Sequence, residues 1–326
     1  MESASMRGRV MSARRWCCAV VGLIGAMAAV VQGPGPGELA VWPVRDGIYM
    51  IVGAGGNTTV QVGDDGVLVV DTKLATAADS LVATIRTISD KPIRYVINTH
   101  WHPDHIGSNE HVVKSGSTIA GGNVSGAIAD AGEGAAVIAH ENVLVRMSAG
   151  PTPAPFDAWP TVTLFMPQKD VFFNGEAVQV LHQPSAHTDG DSLVFFRRSD
   201  VISTGDVFTT TGYPVIRPDD GGGIDGVIAA LNRIIELTVP AEKQEGGTLV
   251  IPGHGRLCDE ADVVEYRDMV TIIRDRIKSM IEMGLTLRQV QAAKPTADYD
   301  GRYGAASGFW TTEQFVAAAY DSLKND

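Results

Sequence analysis

The segment Thr99–Asn109 reads THWHPDHIGSN and gathers three of the chain's 8 histidines, His100, His102 and His105, around Asp104. Imidazole nitrogens suit zinc and other borderline divalent metals, and a carboxylate adds a harder ligand. In an extended segment side chains two apart point the same way. His100 and His102 therefore share one side, and Trp101 turns toward the core. Pro103 bends the chain and sends Asp104 and His105 to the same mouth. Four donors on one turn exceed what a tetrahedral ion takes from adjacent residues, so the cluster reads as two half-sites side by side.

Two half-sites need partners from elsewhere in the chain. His187 in PSAHTDGDS, Asp206 in STGDVF and His254 in IPGHG each follow a strand-like run and sit beside a glycine or another small residue. Strand-end loops meeting at one sheet edge would collect all of these donors. His111, His140 and His182 lack this setting and read as ordinary packing or surface residues. Phe156, Trp159 and Tyr213 are candidates to line an apolar substrate pocket, and Arg217–Gly223 (RPDDGGG) is a candidate rim.

The elements that must position these residues follow from periodicity. DGIYMIVG, NTTVQVGDD and GVLVVDT read as strands rich in β-branched residues and punctuated by Gly and Asp. Ala75–Ile88 has a helical apolar period, and Arg94–Asn98 is a strand leading into the histidine cluster. The Gly/Ala-rich stretch 116–136 has no clear period, HENVLVRM opens a helix, and Gly150–Pro160 is a loop. VTLF, DVFFNG, AVQVLHQP, DSLVFFRR and DVISTGD are consecutive strands. DGVIAALNRIIEL is an amphipathic helix, and TLVIPGHG is a strand ending in a glycine turn. From Asp259 the chain is helical, with one apolar stripe and capping boxes at Thr286/Gln289 and Thr311/Gln314. Two packed sheets with helices outside follow from this order.

Composition narrows the function. The 326-residue chain carries a net charge of −12. It has no basic run beyond residue 15, so neither nucleic acid nor an acidic membrane surface is an expected partner. A small-molecule substrate is. Arg7, Arg9, Arg14 and Arg15 precede the apolar run Trp16–Val31, which reads as an export signal with the linker Gly33–Gly37 behind it. The expected product is a periplasmic or secreted protein that begins between about residues 29 and 38, without stable membrane association, with an uncleaved membrane anchor as the alternative. Of the cysteines only Cys258 would remain, read as a small buried apolar residue, so no intramolecular disulfide is expected.

His-x-His-x-Asp-His at 100–105, followed in order by His187, the Gly-Asp at 205–206 and the Gly-His-Gly at 253–255, resembles the metallo-β-lactamase superfamily. The resemblance runs over roughly residues 44–260, closest to its exported bacterial members. It implies an α/β four-layer αβ/βα sandwich over residues 34–258, with residues 259–326 as a helical extension packed on the same domain. It also implies two zinc ions per chain, with iron or manganese as alternatives. His100, His102 and His187 would hold the first ion, Asp104, His105 and His254 the second, and Asp206 would bridge them. The chemistry expected is attack of an activated water on a carbonyl centre of a β-lactam, lactone, ester or thioester, with Asp104 both ligand and orienter of that water. A phosphodiesterase of the same fold and a non-enzymatic metal-binding protein are the alternatives. Asp206 departs from true metallo-β-lactamases, which commonly carry Cys or Ser there.

Overall fold

The computed structural model describes residues 38–118, 134–149 and 151–325. The expected export segment 1–33 lies outside these residues, as do most of the Gly/Ala-rich stretch and Gly150. Among the described residues no helix is long and apolar enough to cross a membrane.

The first sheet follows chain order: β1 (Ala40–Arg45), β2 (Ile48–Val52), β3 (Thr58–Gly63), β4 (Gly66–Val70), β5 (Ile93–Ile97), β6 (Ala136–His140) and β7 (Val162–Leu164). Its first half is an antiparallel meander, and β4 to β7 run parallel. The second sheet has the order β12 (Leu249–Ile251), β11 (Val201–Ser203), β10 (Ser192–Phe196), β9 (Glu176–His182) and β8 (Gln168–Phe173). Sequence periodicity missed β1 and left β6 without a clear reading. In β1 the exposed Trp42 and the bulge at Pro43 mark an edge strand that buries too little to show a pattern.

The strands read as continuous apolar runs because both of their faces are covered. Leu68, Val70 and Ile97 meet Val178, Val180, Val194 and Phe196 across the gap between the sheets. Val67, Val69 and Val96 point the other way, onto α1 (Ala78–Ile88) and α3 (Asn109–Lys114). Leu193 and Phe195 likewise point outward, onto α5 (Ile224–Leu237) and α6 (Glu260–Glu282). The result is the expected four-layer αβ/βα sandwich. Both capping boxes anticipated after residue 285 are formed, opening α7 (Leu287–Ala293) and α9 (Thr312–Asn325). The short α8 (Asp300–Tyr303) lies between them. Cys258 is buried and free, and burial first, then Asp262, raises its thiol pKa to about 12.

Packing of α5 matters to the site. A Cβ on Gly226 would run into the carbonyl oxygen of Ser185, two residues before His187. Only glycine lets the helix press this closely on that loop. Gly226→Ala is expected to lower stability by about 2 kcal/mol despite alanine's better helix propensity. Urea denaturation checks this: a midpoint at or above wild type would show that the loop tolerates the methyl group.

Candidate metal centre

All seven sequence-selected donors meet at one end of the sandwich. His100 and His102 leave the carboxyl end of β5, and Pro103 opens a one-turn helix, α2 (Pro103–Ile106), that carries Asp104 and His105. His187 lies in the β9–β10 connection, Asp206 after β11 and His254 after β12. Backbone hydrogen bonds lock these loops together: Ser192 N to Thr99 O at 2.8 Å, Gly253 N to Gly205 O at 2.8 Å and Thr72 N to His105 O at 2.6 Å. The glycines flanking the donors have a packing reason. A Cβ on Gly253 would strike the Asp206 carboxylate, and one on Gly205 would strike Thr99.

The donors form two triads. His100, His102 and His187 make one, and Asp104, His105 and His254 make the other. Asp206 stands between them. Its Oδ2 is 3.8 Å from His100 Nε2 and 3.7 Å from His187 Nε2, while its Oδ1 is 3.1 Å from His105 Nε2 and 3.4 Å from His254 Nε2.

The outer nitrogens of the rings are committed elsewhere. His187 Nδ1 donates to Val215 O, and His102 Nε2 donates to Asp220 Oδ2 at 3.3 Å. His105 Nδ1 donates to Asp71 Oδ2 at 2.7 Å. Thr99 Oγ1 gives its proton to Asp71 Oδ2 at 2.6 Å, so it must accept from His100 Nδ1 at 3.1 Å. Each of these four rings therefore turns its other nitrogen inward. His102 Nδ1 and His187 Nε2 face each other at 2.8 Å. The buried His100 Nε2 and Asp206 Oδ1 make no hydrogen bond at all. Converging lone pairs with outer N–H groups on carboxylates and carbonyls are what metal ligands look like. The donor set fits divalent ions of the zinc class.

Electrostatics separates the triads. Burial, then His187, lowers His102 to about 4, and burial also holds His100 well below the usual histidine range. Burial opposes charge on His105 and His254 too, but the nearby carboxylates win. Asp206 and Asp71 hold His105 well above its usual value, and Asp206 and Asp104 raise His254 to about 9. An ion entering the second triad must displace protons, whereas His100 and His102 of the first are already neutral. Zinc binding at pH 7 is therefore expected to release about two protons from His105 and His254, and to tighten as pH rises toward 9. Calorimetry in buffers of different ionisation heat checks this, and proton-free binding would contradict it.

Several residues that build the site were not read from the sequence. Asp71, at φ 59° just after β4, accepts from Thr99 N, Thr99 Oγ1 and His105 Nδ1. Its signal was present, since it is an acid at the end of an apolar strand like Asp206. Asp220 holds His102 and is itself bound by Arg146 at 3.2 Å; only the fold brings these together. Asp191 carries the His187 loop by accepting from His187 N at 2.6 Å and Thr188 N at 2.8 Å. Burial raises its pKa to about 6. Asp189 instead pairs with Arg146. Behind the second triad, Gly56 N reaches Asp104 O, and the Asn57 amide reaches Pro252 O and Gly255 O. Buried Lys73, its pKa lowered to about 7 by burial, donates to the carbonyls of Gly53 and Gly56.

Five of the metal-ligand candidates, His102, Asp104, His187, Asp206 and His254, floor a cavity of about 690 Å³. Leu74, Trp101, Val215, Tyr303, Phe309 and Trp310 supply its apolar walls. Trp101 is thus half-buried at the wall rather than sunk in the core. Tyr213 reaches the cavity, but it is mostly core: it stacks on Phe315 and donates to Thr296 O and Asp300. Trp159 does not line the cavity. Its indole N–H binds Ala154 O, and its ring packs on the Ile106–Val143–Met147 cluster. Phe156 is exposed beside it. His140 and His182 stack on each other at 3.6 Å, outside both triads.

Fold and site together define a class: a four-layer αβ/βα protein with histidine–aspartate groups that could hold metal at the sheet edge. The model of the metallo-beta-lactamase superfamily matches residues 52–254, and the chain belongs to that superfamily of metal-dependent hydrolases. The linear primary-alkylsulfatase of Pseudomonas sp. (strain ATCC 19151) is 24% identical over 251 residues, covering 68% of this chain and 46% of that protein. Among solved structures, the stereoselective inverting sec-alkylsulfatase Pisa1 from Pseudomonas sp. matches with a TM-score of 0.64 and 16% identity, over 87% of this chain and 50% of that one. A metallo-beta-lactamase from Pontibacter korlensis matches with a TM-score of 0.54 and 16% identity, over 72% of this chain and 99% of that one. The chain spans about half the length of the alkylsulfatases it matches.

Proposed function

We propose that this chain is a dinuclear zinc-dependent hydrolase acting on a cyclic or activated acyl compound held in the apolar cavity. The observation that carries the reading is Asp206, whose two oxygens face one triad each. Two ions bound there would supply Lewis-acid polarisation and a water acidic enough to react at neutral pH. The chain's own residues do the rest. Asp104, with its carboxylate 31% exposed and 3.1 Å from His254 Nε2, borders the cavity and is placed to orient that water and take its proton. Asp71, Asp220 and Val215 fix ring orientation, and the aromatic walls exclude bulk solvent.

A second reading, cleavage of a sulfate ester, is favoured by the alkylsulfatase relatives. A phosphodiester substrate is less well served, because Arg217 is the one lysine or arginine among the described residues lining the cavity. Metal-loaded protein should be assayed on nitrocefin, a lactone, a thioester, p-nitrophenyl sulfate and bis-p-nitrophenyl phosphate. Chelator-sensitive turnover of an acyl substrate is expected. Turnover of the sulfate alone replaces the first reading with the second. No turnover of any substrate by protein carrying two ions overturns both.

A further inference from the structure

The superfamily match ends at residue 254, yet one wall of the cavity is built by residues 303–310, between α8 and α9. Tyr303, Ala305, Phe309 and Trp310 all face it. This wall is tied to the metal centre. The Trp310 indole donates to Pro214 O at 3.1 Å, and the next residue, Val215, accepts the proton of His187 Nδ1. The segment is therefore held in register with the first triad.

Two features of the lining are unused by the protein itself. Phe309 is 78% exposed at the mouth, on a turn whose neighbour Gly308 sits at φ 115° with open space around it. A large aromatic ring left in water beside a cavity gains when an apolar group covers it. Arg217 is the other. Its side chain is 41% exposed, its Nε stands 3.6 Å from Asp220 Oδ2, and its terminal nitrogens make no hydrogen bond among the described residues. A guanidinium with free terminal N–H groups is suited to a planar or tetrahedral oxyanion.

We propose that the substrate is an amphiphilic anion: its charged group lies on Arg217, its reacting bond over the metal-ligand candidates, and its hydrocarbon chain against Phe309 and Trp310. Phe309 and Arg217 are then the specificity-determining residues; Arg217 meets a candidate metal ligand through its backbone, whose N–H donates to His187 O at 3.2 Å, and not through its side chain. The inference rests on the proposed hydrolase only for the position of the reacting bond.

The test uses 1-alkanesulfonates, which carry no ester to hydrolyse, titrated calorimetrically into the full metal-loaded chain. 1-Octanesulfonate is expected to bind at least about tenfold more tightly than 1-butanesulfonate, since a buried methylene is worth roughly fourfold in affinity at most. Phe309→Ala should erase most of that chain-length preference while leaving butanesulfonate binding near wild type. Arg217→Gln should weaken both sulfonates about tenfold and leave 1-octanol unchanged. Both side chains are exposed enough for the variants to fold. Equal affinity for both chain lengths, or variants indistinguishable from wild type, overturns the proposal. That outcome with intact hydrolysis of short neutral esters leaves the hydrolase standing. Chain-length-dependent binding without hydrolysis of any substrate supports this inference and removes the hydrolase instead.

Discussion

Asp206→Asn is expected to lose one of two zinc-class ions and to lower hydrolysis by orders of magnitude, with circular dichroism unchanged. The amide keeps the size of the carboxylate and removes its charge. In the wild type that charge sits between the triads, 3.1 Å from His105 Nε2 on one side and 3.7 Å from His187 Nε2 on the other. Two divalent ions without it would repel across a buried gap where screening is weak. The ion on Asp104, His105 and His254 should leave first, because its two imidazoles must also shed protons to bind. The same change is readable without metal. Asp206 is the largest of the charges that raise His254 to about 9, so in the metal-free variant His254 should titrate lower, as followed by NMR. Asp189→Asn is the control: the Asp189 carboxylate pairs with Arg146 and contacts none of the seven donors directly, so its loss should be milder. Full metal content and full rate in Asp206→Asn would refute the dinuclear centre.

The seven candidate ligands were legible because their residues are scarce and punctuated. Histidine and aspartate at the ends of apolar strands, beside glycines that tolerate no side chain, stand out against a β-rich background. His100, His102 and His187 needed no three-dimensional information beyond the assumption that strand ends converge. Asp220 lay in the stretch read as a rim, but its hold on His102 and the part of Arg146 were invisible for the opposite reason. Both residues lie in polar loop and helix positions where an acid or a base is ordinary, and only tertiary folding brings them to His102. The substrate pocket was misread in part for a similar reason. Aromatic residues near the middle of the chain, Trp159 and Tyr213, looked like walls, but burial of large rings is the default. Trp159 joined a side cluster and Tyr213 joined the core under α9, while the exposed wall came from Phe309 and Trp310. Helical periodicity marks residues 259–326 as packed helices and says nothing about which turn between them reaches the cavity.

Removing Asp71 should be the most damaging single change for both stability and metal affinity. Its carboxylate is 1% exposed and accepts from Thr99 N at 2.8 Å, Thr99 Oγ1 at 2.6 Å and His105 Nδ1 at 2.7 Å. Asp71→Ala strands three buried donors, each costing about 1–3 kcal/mol and not strictly additive. It also places alanine at φ 59°, where a residue other than Gly, Asn or Asp adds about 1 kcal/mol. A loss of about 3 kcal/mol or more is expected in urea denaturation of the metal-free protein, a large part of a typical domain's stability. The same carboxylate governs both triads. It fixes the tautomer of His105 directly. It also holds the Thr99 hydroxyl proton, which leaves Thr99 Oγ1 free to accept from His100 Nδ1. Without Asp71 the hydroxyl can donate to His100 instead, moving that ring's proton to the nitrogen that faces Asp206. Zinc affinity should therefore fall about 10- to 100-fold at each triad. Thr99→Val separates the two routes. It keeps the backbone bond to Asp71 and the His105 contact but removes the hydroxyl relay, so affinity should fall at the His100, His102 and His187 triad alone. If Thr99→Val weakens both triads equally, or Asp71→Ala unfolds at the wild-type midpoint with both ions bound, Asp71 is not the residue that sets the two rings.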